Sequence, residues 1–213
     1  ELGYEAALNA IKDAGIDKTE IEAIIVATMT PDNAMPSTAC LIQEMLGLND
    51  QKIMAFDMNA ACNGFISALQ VGSSLLGRFK TVLVVGAETN SKILDFADRS
   101  TCILFGDGAG AAVLRYEECE KETFMYSNSM GDNKNVLTCK NNGLTPLMTS
   151  NRAVNNYMTM QGNDVFRFAI RVMEEAIVEV LKESNLTIDD IDCIIPHQAN
   201  IRIIKHVARS MNL

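Results

Sequence analysis

Apolar residues follow two rhythms along the 213-residue chain. Residues 5–14 place them at helical spacing, and Gly15 stands where such a helix would end. Ile21 to Thr28 is a short apolar run, the pattern of a buried strand. Ser37 to Leu46, following Pro36, predicts a helix, and Ile53 to Met58 a second strand. Ala60 to Leu76 combines helical periodicity with small residues, which predicts a buried helix. Thr81 to Gly86 predicts a third strand, and Thr101 to Phe105 and Ala109 to Tyr116 two more. Gly106-Asp107-Gly108 divides that last pair, and Gly106-Asp107-Gly108-Ala109-Gly110 is read as a tight turn with close backbone packing. Residues 127–156 are rich in Asn, Ser, Thr and Gly with weak periodicity, and predict an excursion or flap. Gly162 to Ser184 predicts a long amphipathic helix, Ile191 to Pro196 a strand, and Gln198 to Arg209 a helix. Strands alternating with helices indicate an α/β fold.

One stretch of this pattern occurs twice. Ala6 to Thr28 aligns without gaps onto Ala176 to Gln198, an offset of 170. Lys12 matches Lys182, Ile16 matches Leu186, Ile21 matches Ile191, and Ile24-Ile25 match Ile194-Ile195. Each copy is an amphipathic helix, a short polar link and a buried strand, which points to a duplicated fold. Residues 1–118 then form an N-terminal half; residues 119–213 hold a linker or flap and the beginning of a second half. Leu213 corresponds to Gln43, so the second half would lack its end, and the first opens inside a helix pattern without Met.

Composition narrows the classes. No apolar run reaches the roughly 18–20 residues that span a bilayer, and no secretory signal pattern opens the chain. A net charge of −9 argues against a nucleic-acid binder, which needs clustered Lys and Arg. The six cysteines, at 40, 62, 102, 119, 139 and 193, form no Cys-x-x-Cys pair, so no zinc site is expected. Free thiols in a reducing cytoplasm are the expectation.

Two residues stand out chemically. Cys62 follows a predicted strand and opens a predicted helix, where the positive end of the dipole and unpaired N–H groups would favour thiolate. Ala60, Ala61 and Gly64 leave room for a substrate, and the Cys62 N–H could serve an oxyanion hole. A core cysteine is the plainer alternative. His197, after Pro196, lies where a strand passes into a helix; the other histidine, His206, sits beside Lys205 on a predicted solvated face. A structural role for His197 remains open on the residues alone. Gly106-Asp107-Gly108-Ala109-Gly110 lacks both the spacing and the following helix of a nucleotide-binding loop.

Three segments coincide in a family pattern. Asn59-Ala60-Ala61-Cys62-Asn63-Gly64-Phe65, Phe105 to Leu114 and Pro196-His197-Gln198-Ala199-Asn200 to Ile204 resemble the β-ketoacyl-acyl-carrier-protein synthase III family across the whole chain. The resemblance implies a thiolase-like fold: a duplicated α/β unit with layered sheets and buried helices, incomplete here at both termini. It implies that Cys62 takes an acyl group from acetyl-CoA or another short acyl-CoA as a thioester. Malonyl-acyl-carrier protein would then lose carbon dioxide and condense with it, starting fatty-acid synthesis. His197 would donate a hydrogen bond to the malonyl thioester oxygen as charge develops. No cofactor beyond these substrates is expected, and a cytoplasmic homodimer is.

Other roles are implied residue by residue. Arg99 matches a CoA-contacting arginine, although Ser100 replaces the usual Gly beside it; Asn163 matches an Asn near the pantetheine arm. Ala199 and Asn200 would line the same tunnel. Met35 stands where the family often carries a Phe reaching into the partner's acyl pocket, and a flexible Met there would admit a different primer. Arg167, Arg202 and Arg209 match basic positions that meet the acidic carrier protein, or are ordinary solvated helix residues. The family's third catalytic residue, an Asn beyond the His, has no counterpart within the 213 residues, and neither have its Gly-rich C-terminal segment and its adenine-binding Trp and Arg. The chain as given would not be fully competent on this reading. The rival readings are a starter enzyme of polyketide, alkylquinolone or other secondary metabolism, a 3-hydroxy-3-methylglutaryl-CoA synthase, and a non-catalytic acyl-binding subunit of the same fold. The synthase's Glu motif is absent, and non-catalytic subunits commonly lose the cysteine that is kept here.

Overall fold

The computed structural model describes residues 1–118, 123–139 and 157–213. They fall into two compact units, Glu1–Asn90 with Gly106–Glu122, and Ser91–Phe105 with Thr123–Leu213.

The first unit is a three-layer sandwich around a four-stranded sheet. Its elements are α1 (Leu2–Ala14), β1 (Ala23–Ala27), α2 (Thr38–Met45), β2 (Met54–Met58), α3 (Gly64–Leu75), β3 (Thr81–Thr89) and, after an excursion into the other unit, β4 (Asp107–Arg115). The strand order is β2-β1-β3-β4; β1 runs parallel to both neighbours, and β4 runs antiparallel to β3. β1 is buried along its whole length because both its faces are covered. Ile24, Val26, Leu83 and Val85 pack with Ala7 and Ile11 of α1 and Ala39 and Ile42 of α2. Ala23, Ile25, Ala27, Val82 and Val84 pack with Ala68 of α3 on the opposite face. The alternation of strand side chains thus assigns each helix to its side.

Small residues let α3 lie close to the sheet. Its buried positions are Gly64, Ala68 and Gly72, four apart on one helical face. A Cβ on Gly72 would stand 2.8 Å from Leu114 Cδ1 and 3.1 Å from Val84 Cγ2, so only glycine fits without displacement. The expectation of a buried helix holds for this face alone; Ile66, on another, is 53% exposed.

The second unit contains α4 (Arg99–Cys102), a two-stranded ladder of β5 (Leu137–Thr138) and β6 (Thr159–Met160), α5 (Gly162–Ser184) and α6 (Ile201–Ser210). Ile203 and Val207, one turn apart, are buried on α6, which packs on α5; the Ser210 hydroxyl donates to the Glu174 carboxylate of α5. Tyr126 donates to Glu175 of α5 at 2.8 Å and ties the irregular segment 123–132 to that helix. Of the expected flap, residues 127–139 are irregular apart from β5, and 140–156 lie outside the described residues.

Four expectations are corrected. Thr101 to Phe105 is not a strand: Asp98 accepts the Ser100 N–H and the Thr101 hydroxyl, which closes a helical turn over Arg99–Cys102. Gly106-Asp107-Gly108 is not a tight, closely packed turn. Asp107 and Gly108 already pair with Thr89 and Glu88 in the ladder, and a Cβ at Gly106, Gly108 or Gly110 would meet nothing within 4 Å. Residues 191–196 carry no strand assignment; among the described residues no strand pairs with them, and Ile195 is 86% exposed. The last helix starts at Ile201 rather than Gln198, because Asn200 caps it by accepting the Arg202 N–H.

Candidate functional site

The connections in the first unit leave β1 through α2 on one face and β2 through α3 on the other. The topological switch point falls between β1 and β3, because β1 leads on to β2 at one edge of the sheet and β3 to β4 at the other; such strands open a crevice at their C-terminal ends. The start of α3 lies there, with Gly64 against Ala27 of β1 and Phe65 against Gly86 of β3, and Cys62 stands just before it, four residues past the end of β2, in a 3-10 turn over Ala61–Asn63. The turn is backed by an Asx interaction, in which Asn59 Oδ1 accepts the Ala61 N–H at 3.0 Å. Ala61 is held at φ 45°, a left-handed conformation that a residue with a Cβ enters at a cost. This strained residue immediately precedes the cysteine and projects it from the rim.

Although Cys62 counts as exposed, the protein around its sulfur pushes the pKa up, chiefly by desolvation, with the Glu88 charge adding to the rise. Its own backbone N–H acts the other way but does not prevail. Desolvation thus works against the thiolate that the start of α3 would favour.

Two carboxylates that sequence reasoning passed over organise the rim. Asp57, near the end of β2, accepts the Thr38 N–H at 2.7 Å and the Ala39 N–H at 2.8 Å at the N-terminus of α2. Glu88, near the end of β3, accepts the Met29 N–H at 2.8 Å and the Thr30 hydroxyl at 2.6 Å. Each is a charged residue following an apolar strand run, and that was the available signal. Met35, 84% exposed, lies in the loop between these two anchors, just before the Ser37 cap of α2.

The other candidates lie in the second unit. His197 and Ala199 are exposed on the segment before α6, and Asn200 is the α6 cap. Arg202 and Arg209 share one face of α6 with Lys205 and His206, opposite the buried Ile203 and Val207. Asn163 and Arg167 stand one turn apart, exposed, at the start of α5. Arg99 is exposed at the first position of α4. Among the described residues no cluster of His, Cys, Asp and Glu could hold a metal ion, and no helix is long and apolar enough to cross a membrane.

A cysteine on the switch-point rim of a layered α/β sheet defines a class: thiol-bearing α/β proteins that can carry a group at a strand end. Comparison with known proteins makes the class specific. The 3-oxoacyl-[acyl-carrier-protein] synthase III family model matches residues 56–133, and that family's C-terminal model matches residues 181–213. The β-ketoacyl-[acyl-carrier-protein] synthase III of Clostridium perfringens is 45% identical over the whole chain, which covers 66% of that protein. The crystal structure of the Pseudomonas aeruginosa 3-oxoacyl-(acyl carrier protein) synthase III aligns with a TM-score of 0.87 at 36% identity, over 100% of this chain and 64% of that one. The Aquifex aeolicus counterpart aligns at 0.85 and 38%, over 99% and 65%. The chain belongs to the 3-oxoacyl-[acyl-carrier-protein] synthase III family and has its thiolase-like fold. It spans just under two thirds of the length of the curated relatives it matches.

Proposed function

We propose that the whole protein condenses a short acyl-CoA, acetyl-CoA in the first instance, with malonyl-acyl-carrier protein to start fatty-acid synthesis. The observation that carries this reading is the place of Cys62: a cysteine on the switch-point rim, behind a strained residue, in a chain 45% identical to proteins named for that reaction.

The Cys62 thiol loses its proton as its sulfur attacks the acyl-CoA carbonyl; CoA leaves as the thiol, and the acyl group stays on sulfur as a thioester. Malonyl-acyl-carrier protein then loses carbon dioxide, and the enolate carbon attacks the thioester carbonyl. The Cys62–acyl bond breaks, and a β-ketoacyl-carrier protein two carbons longer than the primer departs. His197 donates a hydrogen bond to the malonyl thioester oxygen, where charge grows only in the transition state. Arg99 and Asn163 hold the CoA and pantetheine chain, Ala199 and Asn200 line its path, and Met35 bounds the acyl end. The basic face of Arg202 and Arg209, with Arg167, receives the acidic carrier protein. A cytoplasmic homodimer without further cofactors completes the proposal, supported by the family resemblance.

The test is product formation by the full-length protein given acetyl-CoA and malonyl-acyl-carrier protein. Cys62→Ser is expected to abolish it. His197→Ala is expected to spare acylation of Cys62 and lose condensation, since the hydrogen bond acts only in the second half. A protein that is acylated by acetyl-CoA yet forms no ketoacyl product even as wild type would contradict the substrate assignment.

A further inference from the structure

The Gly-Asp-Gly-Ala-Gly segment, unused by the reading above, lies beside a carboxylate. In the β3–β4 ladder Glu88 pairs with Gly108, and Gly86 pairs with Gly110. Cross-strand partners present their side chains to the same face, so neither position of β4 brings a side chain beside Glu88. Alternation along β3 puts residues 82, 84, 86 and 88 on the α3 side; Val82 and Val84 pack in that layer, and Phe65 of α3 lies against Gly86. Phe65 is three residues beyond Cys62. Glu88 is therefore the next β3 side chain on the Cys62 side of the sheet, where its carboxylate reaches the loop after β1.

We infer that Glu88 is a positioning residue of the Cys62 site, clamping the loop after β1 to the end of β3 and setting a fixed anion on the nucleophile's side of the sheet. Three bonds make the clamp. Glu88 accepts from the Met29 N–H and the Thr30 hydroxyl, and Thr30 Oγ1 in turn accepts the Thr89 N–H at 2.8 Å. The clamped loop is the one that leads to Met35 and the α2 cap. The anion opposes ionisation of Cys62, in line with the upward push that Glu88 exerts on the thiol. Other charges on this rim are few. β1 and α3 contain no ionisable residue. Asp57 of β2 is turned to the α2 N-terminus, Asp107 of β4 pairs with Thr89, and Asp32 lies in the loop itself.

The inference rests on Cys62 being the nucleophile, but its test reads the thiol directly and does not depend on acyl-CoA or carrier protein. The rate of Cys62 alkylation by iodoacetamide is measured across pH in the full-length protein by peptide mass spectrometry. Glu88→Gln keeps an acceptor and removes the charge. Its alkylation midpoint is expected to fall by a few tenths to about one pH unit, which makes alkylation below both midpoints roughly twofold to tenfold faster. Thr30→Val breaks the hydroxyl bridge, keeps the charge and leaves the midpoint in place. An unchanged midpoint in Glu88→Gln overturns the inference, and so does an equal fall in Thr30→Val, which would assign the effect to loop packing. Should Glu88→Gln fail to fold, Glu88→Asp retains the charge and is expected to retain the wild-type midpoint; a fall there is equally contrary.

Discussion

The two copies of the repeated stretch are alike up to the strand and then part. In the first, α1 ends on Gly15 at φ 64°, whose N–H returns to the Lys12 carbonyl at 3.2 Å. In the second, α5 ends on Asn185 at φ 55°, whose N–H returns to the Lys182 carbonyl at 3.2 Å. Each then makes a 3-10 turn closed by a reciprocal capping box, Asp17 with Glu20 and Thr187 with Asp190. These pairs are related by the same offset of 170 as the sequence repeat. Beyond them Ala23–Ala27 is fully buried between two parallel neighbours, whereas residues 191–196 meet no strand among the described residues. Caps and turns are written in a few neighbouring residues. A strand is completed only by the partners that take its hydrogen bonds and cover its faces.

The largest expected effect tests that contrast at matched positions of the 213-residue chain. Ile25 is wholly buried and Ile195 is 86% exposed. Ile25→Ala is expected to cost about 2–5 kcal/mol in chemical denaturation, as a deleted core side chain does. Ile195→Ala is expected to change stability by no more than about 0.5 kcal/mol. Equal costs would show that residues 191–196 pack as a core strand, and the contrast would be lost.

Next is the close approach of α3 to the sheet. Gly72→Ala puts a methyl group against Leu114 and Val84 and is expected to cost about 1–3 kcal/mol. A neutral substitution would mean that α3 stands further from the sheet. The helix ends should by contrast respond alike. Gly15→Ala and Asn185→Ala each force a left-handed alanine, with an expected cost of about 1 kcal/mol apiece. A clear difference between them would break the claim that these devices are local.

The smallest effect is in acid. Hydrogen bonds, from Thr19 to Asp17 and from Thr187 to Asp190, hold both carboxyls below the usual aspartate range. A depressed folded pKa contributes stability that is fully present above the ordinary Asp value and fades as pH falls through the depressed one. Carbon-detected NMR titration should therefore find both residues titrating low. Ordinary values at either would show that its capping box is open in solution.

The same division explains what the sequence made legible. The bounds of α5 were readable to the residue, because amphipathic spacing and an Asn stop agree over 23 residues. Thr101 to Phe105 misled, since β-branched and aromatic residues suggest a strand while the deciding signal was Asp98, three residues upstream. The Gly-Asp-Gly segment looked like a turn because glycine marks both turns and open strand edges, and only the β3 partner distinguishes them. At the site, the motif around Cys62 gave its place at the strand–helix junction. The upward push on its pKa could not be read there, because desolvation and the Glu88 charge come from residues assembled by the sheet. Asp57 and Glu88 escaped for the same reason: their partners are 18 to 59 residues away along the chain.

The account turns on Cys62 as the acyl carrier, and one measurement addresses that directly. The full-length protein is incubated with acetyl-CoA, digested under conditions that preserve thioesters, and every cysteine peptide is weighed. Acetyl on the peptide holding Cys62, absent from Cys62→Ser and from the peptides of Cys40, Cys102, Cys119, Cys139 and Cys193, is the predicted result. Acetyl on another cysteine, or an adduct that persists in Cys62→Ser, would contradict it.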